Sequence, residues 1–310
     1  MFDNGLSDAI IKDMMVRPVS CGFFSMVRDY VLFGSAAALL SFAMLFAVTG
    51  TAHAEWFATA EIREVYDDNV NLAVANGDRK SDASLRPSVS FGHYAQLADS
   101  TGLTVSAEVK HFNFARFSGL DNLESGLAAS LKYKRGLGSY APWIRVFGSA
   151  KYADFREDFR NGDSVRSGLS LGKRIYERVF TQIGYEYDTD SARNSRFDTR
   201  NSVVSARFDY LLTESVQTWI GYALSRGIYV IYIPFSGTGP GNPGAVIVDT
   251  FKEPTNVFQI HATTHTLSLG ASKAFASHWS ADISADFADI YGRGKHYPDS
   301  LYKAGIVYAY

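Results

Sequence analysis

Apolar and polar side chains alternate along most of the chain after residue 54. In residues 300–310, for example, Tyr302, Ala304, Ile306, Tyr308 and Tyr310 share one face of an extended segment, with mainly small or polar residues between them. Successive side chains of a β-strand point to opposite faces, so this period of two predicts a strand. About twelve such segments, each about ten residues long, recur through residues 55–310.

The length of the segments and the pattern of the connections indicate a membrane barrel. A tilted strand needs about ten residues to cross a bilayer, whereas strands of soluble proteins have about five or six. Long connections such as 67–82, 227–256 and 288–299 alternate with short ones such as 177–178. We therefore predict an all-β fold, a transmembrane antiparallel up-and-down β-barrel of about 12 strands, with short periplasmic turns and long external loops.

The N-terminal region predicts a cleaved signal peptide. Residues 30–48 carry no charge, Arg28 precedes them, and Ala52 and Ala54 form the small-x-small pattern of a cleavage site. We expect residues 1–54 to be removed, leaving residues 55–310 as the barrel. Cys21, which is the single cysteine, would leave with that segment. A retained membrane anchor is the alternative, because nineteen apolar residues nearly span a bilayer.

The C-terminal strand resembles that of Gram-negative outer-membrane β-barrels of the porin-like type, whose assembly machinery reads a final aromatic residue. The resemblance implies that Tyr302, Tyr308 and Tyr310 form an assembly signal. It also implies a location in the cell outer membrane, with outer-membrane lipid and the barrel assembly machinery as partners. The run 66–70 (YDDNV), followed by Asp82 and Pro87, is similar to uncharacterised barrels associated with exopolysaccharide or exosortase systems.

Tryptophan positions suggest one membrane boundary. Each tryptophan lies near the start of a segment that begins, in this topology, at the periplasmic face. Amphipathic rings collect at membrane interfaces, so we expect a periplasmic aromatic girdle. Its members are Trp56, Trp143, Trp219 and Trp279.

Charged residues recur on the polar side of the segments, and we expect them to line the lumen. Both signs are present in similar numbers. They could form an ion-pair network that fills and stiffens the lumen, or a conduction path with little charge selectivity. The candidates are Glu61, Arg63, Arg86, Glu108, Lys110, Lys132, Arg166, Arg174, Glu186, Arg207, Asp209, Asp282 and Asp286.

Composition and motifs exclude several other functions. A formal net charge of -2 leaves no basic excess for nucleic acid, and we expect no such partner. A mean hydropathy of -0.07 is too low for a helical membrane protein. His261 and His265 would suggest a metal site on a helix, but on a strand they face outward with Leu267. We find no phosphate loop or nucleophile elbow, and we expect no cofactor, no metal and no enzyme activity.

The longest connection, residues 227–256, permits three arrangements. Two apolar runs flank a Gly/Pro-rich stretch at 237–244, which favours a hairpin projecting above the membrane. An inward plug and an exposed partner surface are the alternatives. We expect the protein to be a passive channel or export-associated porin for small or saccharide solutes. A structural or adhesive barrel with a filled lumen is the second hypothesis, and a lipid-modifying enzyme at the rim is the third.

Overall fold

The computed structural model describes residues 54–136, 138–234 and 246–310. The predicted signal peptide lies outside these ranges except for Ala54, which begins the first strand and pairs with Ala95. Within the described residues, no helix has the length and apolar character needed to cross a membrane. The signal peptide and its cleavage remain predictions.

Twelve long strands and one short strand form a single antiparallel sheet that closes on itself. Each long strand pairs with its neighbours in the chain, and the last pairs with the first. The strands are β1 (Ala54–Asp67), β2 (Asp82–Ala98), β3 (Thr101–Phe114), β4 (Asn122–Lys134), β5 (Trp143–Phe155), β6 (Gly162–Tyr176), β7 (Val179–Ala192), β8 (Thr199–Leu211), β9 (Val216–Pro234), β10 (Val246–Val248), β11 (Thr255–Ala276), β12 (Trp279–Gly292) and β13 (Lys295–Ala309).

The barrel follows from the period of two in the sequence. Apolar residues such as Ile62 (59% exposed) and Ile283 (64% exposed) point outward, while their polar neighbours point inward. Closure pairs every long strand on both sides, which removes the unpaired edges that an open sheet would leave. The predicted twelve-stranded up-and-down barrel is confirmed.

The two ends of the barrel differ in their connections. We call one end the turn end, where residues 99–100, 177–178 and 277–278 make tight turns, and the other the loop end, where the longer connections lie. One prediction at the loop end was wrong: residues 288–299 are not a long loop. Instead β12 and β13 join through Arg293 and Gly294, whose φ values of 50° and 70° suit the turn of a two-residue hairpin.

Three loop-end connections share one local structure, and their sequences share a spacing. Each contains a short 3-10 helix, at 118–120, 158–160 and 195–197. In each connection an arginine lies four positions before the last residue of the 3-10 helix. Asp121, Asn161 or Asp198 comes directly after that last residue. The Oδ1 atom of that residue accepts from the backbone N–H of Phe114 (2.7 Å), Phe155 (2.6 Å) or Ala192 (3.1 Å), which fixes the loop against its own strand.

Hydrogen bonds donated by backbone N–H groups also join each of these connections to the end of the preceding one. The N–H of Arg116 donates to the side-chain carboxylate of Asp82 at a distance of 3.0 Å. The N–H of Arg156 donates to the carbonyl of Asp121 in 2.9 Å, and that of Arg193 to the carbonyl of Asn161 in 2.7 Å. The connections therefore form a continuous chain around this part of the loop end.

The two apolar runs of 227–256 do not pair with each other in the described residues, so the hairpin expected between them was wrong; instead the extension of β9 forms a hairpin with that of β11. Residues 228–234 of β9 pair with residues 255–261 of β11, so both strands continue beyond β8 and β12. The second apolar run, expected to pair with β9, contributes only β10, which pairs with the other edge of β11 at Val246↔Val257. The Gly/Pro-rich stretch is part of residues 235–245, outside the described residues.

Candidate functional site: the lumen and the loop cap

All thirteen charged residues predicted for the lumen lie on its wall. Each occupies the strand face opposite the outward apolar residues. In β1, Glu61 and Arg63 alternate with outward Ile62, which is 59% exposed. The remaining members follow the same alternation: Arg86, Glu108, Lys110, Lys132, Arg166, Arg174, Glu186, Arg207, Asp209, Asp282 and Asp286.

Ion pairs connect many of these charges, both within a strand and between strands. The Arg63 guanidinium lies 2.6 Å from Glu61 and 3.1 Å from Asp282, which bridges the closure of β1 onto β13 and β12. Elsewhere, Arg166 pairs with Glu186 at 3.3 Å. Other pairs join Arg207 to Asp209 and Lys303 to Asp286. Charges held in a low-dielectric wall need partners, and these contacts provide them.

Aromatic rings support a second group of lumen cations. The guanidinium of Arg86 and the ammonium of Lys110 lie 5.0 and 5.1 Å from the ring centre of Phe112. Cations at this distance over a ring face are stabilised by its quadrupole. Further contacts of 4.4–5.0 Å connect Lys132 to Trp143, Arg145 to Phe147, Arg174 to Phe180 and Arg207 to Trp219.

Charged lumen residues absent from the predicted set include Lys151, Arg145, Glu124 and Lys303. Lys151 lies 3.0 Å from Glu108 and 3.6 Å from Glu124, and Arg145 stacks on Phe147. Alternation across 143–152 is less regular than elsewhere, which obscured Arg145 and Lys151. The strict period of β4 could have identified Glu124, which lies on the same face as Lys132.

The tryptophan girdle is only half as predicted. Trp56 and Trp279 point outward at the turn end, with 64% and 45% of their surface exposed. Trp143 and Trp219 point into the lumen, where they lie under Lys132 and Arg207.

Paired glycines make room for the two inward tryptophans. A Cβ added to Gly172 would approach the Trp143 ring to 2.2 Å, and one added to Gly270 would approach the Trp219 ring to 2.6 Å. Trp143 and Trp219 lie near a strand start, as expected, but their inward rings take no part in an outward girdle.

The predicted assembly tyrosines lie on the last strand in three environments. Tyr302 points outward, 6.3 Å from the Tyr66 ring. Tyr308 packs 5.0 Å from Trp279. The backbone of Tyr310 exchanges two hydrogen bonds with Ala58, of 2.9 and 3.0 Å, while its side chain is 75% exposed. Their role in assembly remains a prediction.

An apolar cluster closes over the loop end. We call it the loop cap, and its residues come from four connections or strand extensions that begin at separate points of the barrel circumference. It therefore spans this end of the barrel. The members, all buried, are Val70, Phe117, Leu120, Phe197, Val230, Tyr232, Val248, Phe251 and Val257.

The other face of the extended hairpin is covered as well. Tyr229, Ile231 and Ile260 pack with Leu72 of the first loop and with Ile290 and Tyr297. Leu72 is buried with a φ of 49°, a left-handed conformation that non-glycine residues rarely adopt. Packing on both faces means that the hairpin does not project freely; it is built into the closed loop end.

Polar contacts hold the apolar cap together. Arg160 is 4% exposed and its guanidinium lies 4.9 Å from the Phe155 ring and 5.3 Å from the Phe197 ring. Glu157 lies 3.9 Å from Arg160 and accepts a hydrogen bond from the hydroxyl of Thr250. Burial raises the pKa of Glu157, and these two neighbours oppose the rise.

One ion pair ties the first loop to the last long one. The ammonium of Lys80 lies 2.6 Å from the carboxylate of Glu253. Because Lys80 belongs to the β1–β2 connection and Glu253 precedes β11, the pair holds two parts of the loop end together.

Carboxylates of the YDDNV run meet near the first loop. Asp67, Asp68 and Asp299 place one ligand oxygen each within 4.8 Å of one another, and this is the one group of three such ligands in the described residues. Calcium takes six to eight oxygen ligands, so three carboxylates supply part of such a set. Within the same run, Asn69 is fully buried and donates to the carbonyls of Ala73 and Pro298. These contacts give the run a structural role in shaping the loop.

The two histidines considered for catalysis lie on the outer surface, as expected from the strand pattern. The ring Nδ1 of His265 lies 2.6 Å from the Tyr222 hydroxyl. His261 lies four residues further toward the loop end, on the same outward face. Neither belongs to the one group of potential metal ligands in the described part of the chain.

Comparison with known proteins gives a likeness of fold. No protein-family model matches the sequence, and no curated protein matches it. An outer-membrane channel from Pseudomonas putida F1 superposes with a TM-score of 0.56 at 10% identity, covering 85% of this chain and 97% of the channel. The NanC porin superposes with a TM-score of 0.45 at 12% identity, covering 80% of this chain and 98% of the porin. The KdgM porin superposes with a TM-score of 0.41 at 14% identity, covering 81% of this chain and 98% of the porin. This chain therefore shares the closed antiparallel β-barrel fold of that outer-membrane channel.

Proposed function

We propose that this protein is a passive channel of the outer membrane for small polar solutes, saccharides among them, with the loop cap controlling access. The observation that carries the proposal is that water reaches the charged lumen wall. The side chains of Lys151, Glu108 and Glu124 are 31%, 37% and 27% exposed, although they face the barrel interior. A lumen filled by side chains would bury such groups.

The lumen wall suits polar solutes of either charge. Cations and carboxylates are interspersed, and several cations lie flat against aromatic rings. Such a wall offers hydrogen-bond donors and acceptors beside apolar ring faces without one dominant field. We therefore expect weak charge selectivity and a preference for solutes that carry many hydroxyl groups.

Location and topology are part of the proposal. An apolar outer surface with paired strands suits a bilayer, and the fold resembles an outer-membrane channel. We place the loop end outside the cell and the turn end in the periplasm. The resemblance of the YDDNV run is the only support for a link to polysaccharide export.

The second candidate is a structural or adhesive barrel that acts through its loops. The loop cap favours it, because a permanently closed loop end would prevent passage. The two candidates differ in whether the cap opens. A reversible covalent lock on the cap tests this difference.

The lock uses Gly119 and Thr250, which lie on two different connections. A Cβ built on Gly119 would lie 3.3 Å from the Cα of Thr250, which brings the two Cα atoms near the separation that a disulfide needs, and 2.4 Å from the Glu157 carboxylate, whose flexible end must move aside. In the mature chain, G119C/T250C would supply the only two cysteines, since Cys21 precedes the predicted cleavage site. The oxidised and reduced states of one protein then serve as matched samples.

The measurement is the swelling rate of liposomes that contain the protein and are exposed to neutral disaccharides. We expect swelling with the reduced variant and little swelling after oxidation. Swelling that is equally slow in the wild type, the reduced variant and protein-free liposomes would overturn the channel and favour the structural barrel. Equal, fast swelling in both redox states would show that the cap does not control access.

A further inference from the structure

A groove interrupts the rim of the loop end on its outer side. There the β12–β13 turn stops at Arg293 and Gly294, while neighbouring β11 continues with β9 into the extended hairpin. The step between them leaves a groove of about 650 Å³. Its lining includes Arg226, His261, Tyr291, Arg293, Lys295 and His296.

The groove begins where the outward positions change from apolar to polar. Leu224, Leu267 and Phe287 are outward apolar side chains of β9, β11 and β12, each 38–43% exposed. The next outward positions toward the loop end are Arg226, His265 and Asp289. This change of polarity places the groove at the level of the lipid headgroups, where tyrosine is also favoured.

The charge of the groove is positive. Arg226, Arg293 and Lys295 carry fixed charge and are exposed. The one outward carboxylate beside them, Asp289, lies 2.7 Å from the His296 ring, so it is already engaged. Three cations against one partnered carboxylate, at the edge of an apolar surface, complement an anionic lipid headgroup.

Aromatic stacking gives the groove a defined floor. The Tyr291 ring stacks on His296 at 4.9 Å and meets His265 edge-on at 6.0 Å. The Arg293 guanidinium donates to the carbonyl of Gln259 at 3.3 Å, which draws it toward the extended hairpin on one wall. Arg226 pairs across the sheet with Thr263, which in turn pairs with Tyr291, so the three side chains form one row.

We propose that this groove binds the phosphate-bearing headgroup of a glycolipid in the leaflet that faces the loop end. Guanidinium groups bind phosphate oxygens through paired N–H donors, and Arg226 and Arg293 provide two of them. The acyl chains would then lie along the apolar surface below Leu224 and Phe287. This site is separate from the lumen, and it depends on the membrane location of the proposed function but not on conduction.

The test compares two probes on the purified protein in detergent: bis-phosphorylated lipid A and its fully dephosphorylated form. Native mass spectrometry gives the bound fraction of each. We expect the wild type to prefer the phosphorylated probe. Each basic side chain near an anionic lipid surface contributes about 1 kcal/mol, which is about fivefold in affinity, so R226Q/R293Q should lose about 25-fold and its preference.

The matched control is K173Q. Lys173 is also exposed and outward-facing, but it lies near the turn end of β6. This variant should bind as the wild type does. Equal binding of both probes by the wild type would overturn the proposal even if the double variant does not fold. A double variant that keeps the wild-type preference would also overturn it. Liposome swelling by R226Q/R293Q should be unchanged, which separates this proposal from the channel.

Discussion

Phe197→Ala should open the loop cap without disturbing the barrel. The Phe197 ring is 2% exposed and packs 5.2 Å from Phe159 and 6.5 Å from Tyr232. It belongs to the 3-10 helix at 195–197, outside every barrel strand. Removing it therefore weakens the closed cap and leaves the strand ladder intact.

The size of the effect follows from the burial of the ring. Replacing a buried phenylalanine by alanine costs about 3–5 kcal/mol. In an open cap the ring would face water, so most of this loss applies to the closed form alone. A loss of about 3 kcal/mol shifts a closed–open equilibrium by roughly a hundredfold, since about 1.4 kcal/mol is a factor of ten.

The assay is the open probability of single proteins in a planar bilayer. Phe208→Ala is the matched control, because Phe208 lies on the following strand, points outward and is 54% exposed. We expect Phe197→Ala to raise the open probability strongly and Phe208→Ala to leave it unchanged. Both variants should keep the fast migration of folded barrels on unheated gels. If Phe197→Ala behaves like Phe208→Ala, the cap is not the gate.

Two further predictions concern assembly and pH. Tyr310→Ala keeps the backbone pair with Ala58 but loses the ring, so the yield of inserted barrel should fall while conductance per inserted barrel stays constant; normal insertion in cells would remove the assembly role. Burial raises the pKa of Asp198 to about 6, opposed by its hydrogen bond from Ala192. The closed cap should therefore lose stability as pH rises from about 4 to about 6. D198N, which keeps the acceptor oxygen, should reduce that pH dependence of open probability and leave the part that Glu157 contributes; an unchanged slope would contradict the assignment.

Strand existence and lumen charge were predictable because both depend on local alternation. Each strand lies between an apolar exterior and a polar interior, so a side chain's parity fixes its face. For the same reason Glu61 and Arg207 could be assigned to the lumen from the sequence. Where alternation weakens, as at Trp143, parity gives no answer, and the space opposite Gly172 decides the orientation.

The loop cap was not predictable in the same way. Its contacts join residues such as Val70 and Phe197, which are far apart in the chain and lie in short irregular segments. A local signal did exist. In three connections an arginine is followed five positions later by an aspartate or asparagine: Arg116 by Asp121, Arg156 by Asn161 and Arg193 by Asp198. It predicts repeated loop structure, but it does not reveal that the loops meet.

The partner of the extended hairpin was likewise set by long-range packing. The first apolar run of 227–256 continues β9, and both the second run and the start of β11 are suited to pair with it. β11 offers a longer partner because it continues upward from the barrel wall in register. The second run, with Val248 and Phe251, instead joins the loop cap, where it buries more apolar surface.

The most direct test of the account is the single-channel conductance of the wild-type mature chain in a planar bilayer. We predict discrete conductance steps with weak selectivity between anions and cations, separated by long closed periods imposed by the loop cap. The absence of any step, at every voltage and in both the wild type and Phe197→Ala, would contradict the channel and leave the structural barrel as the better account.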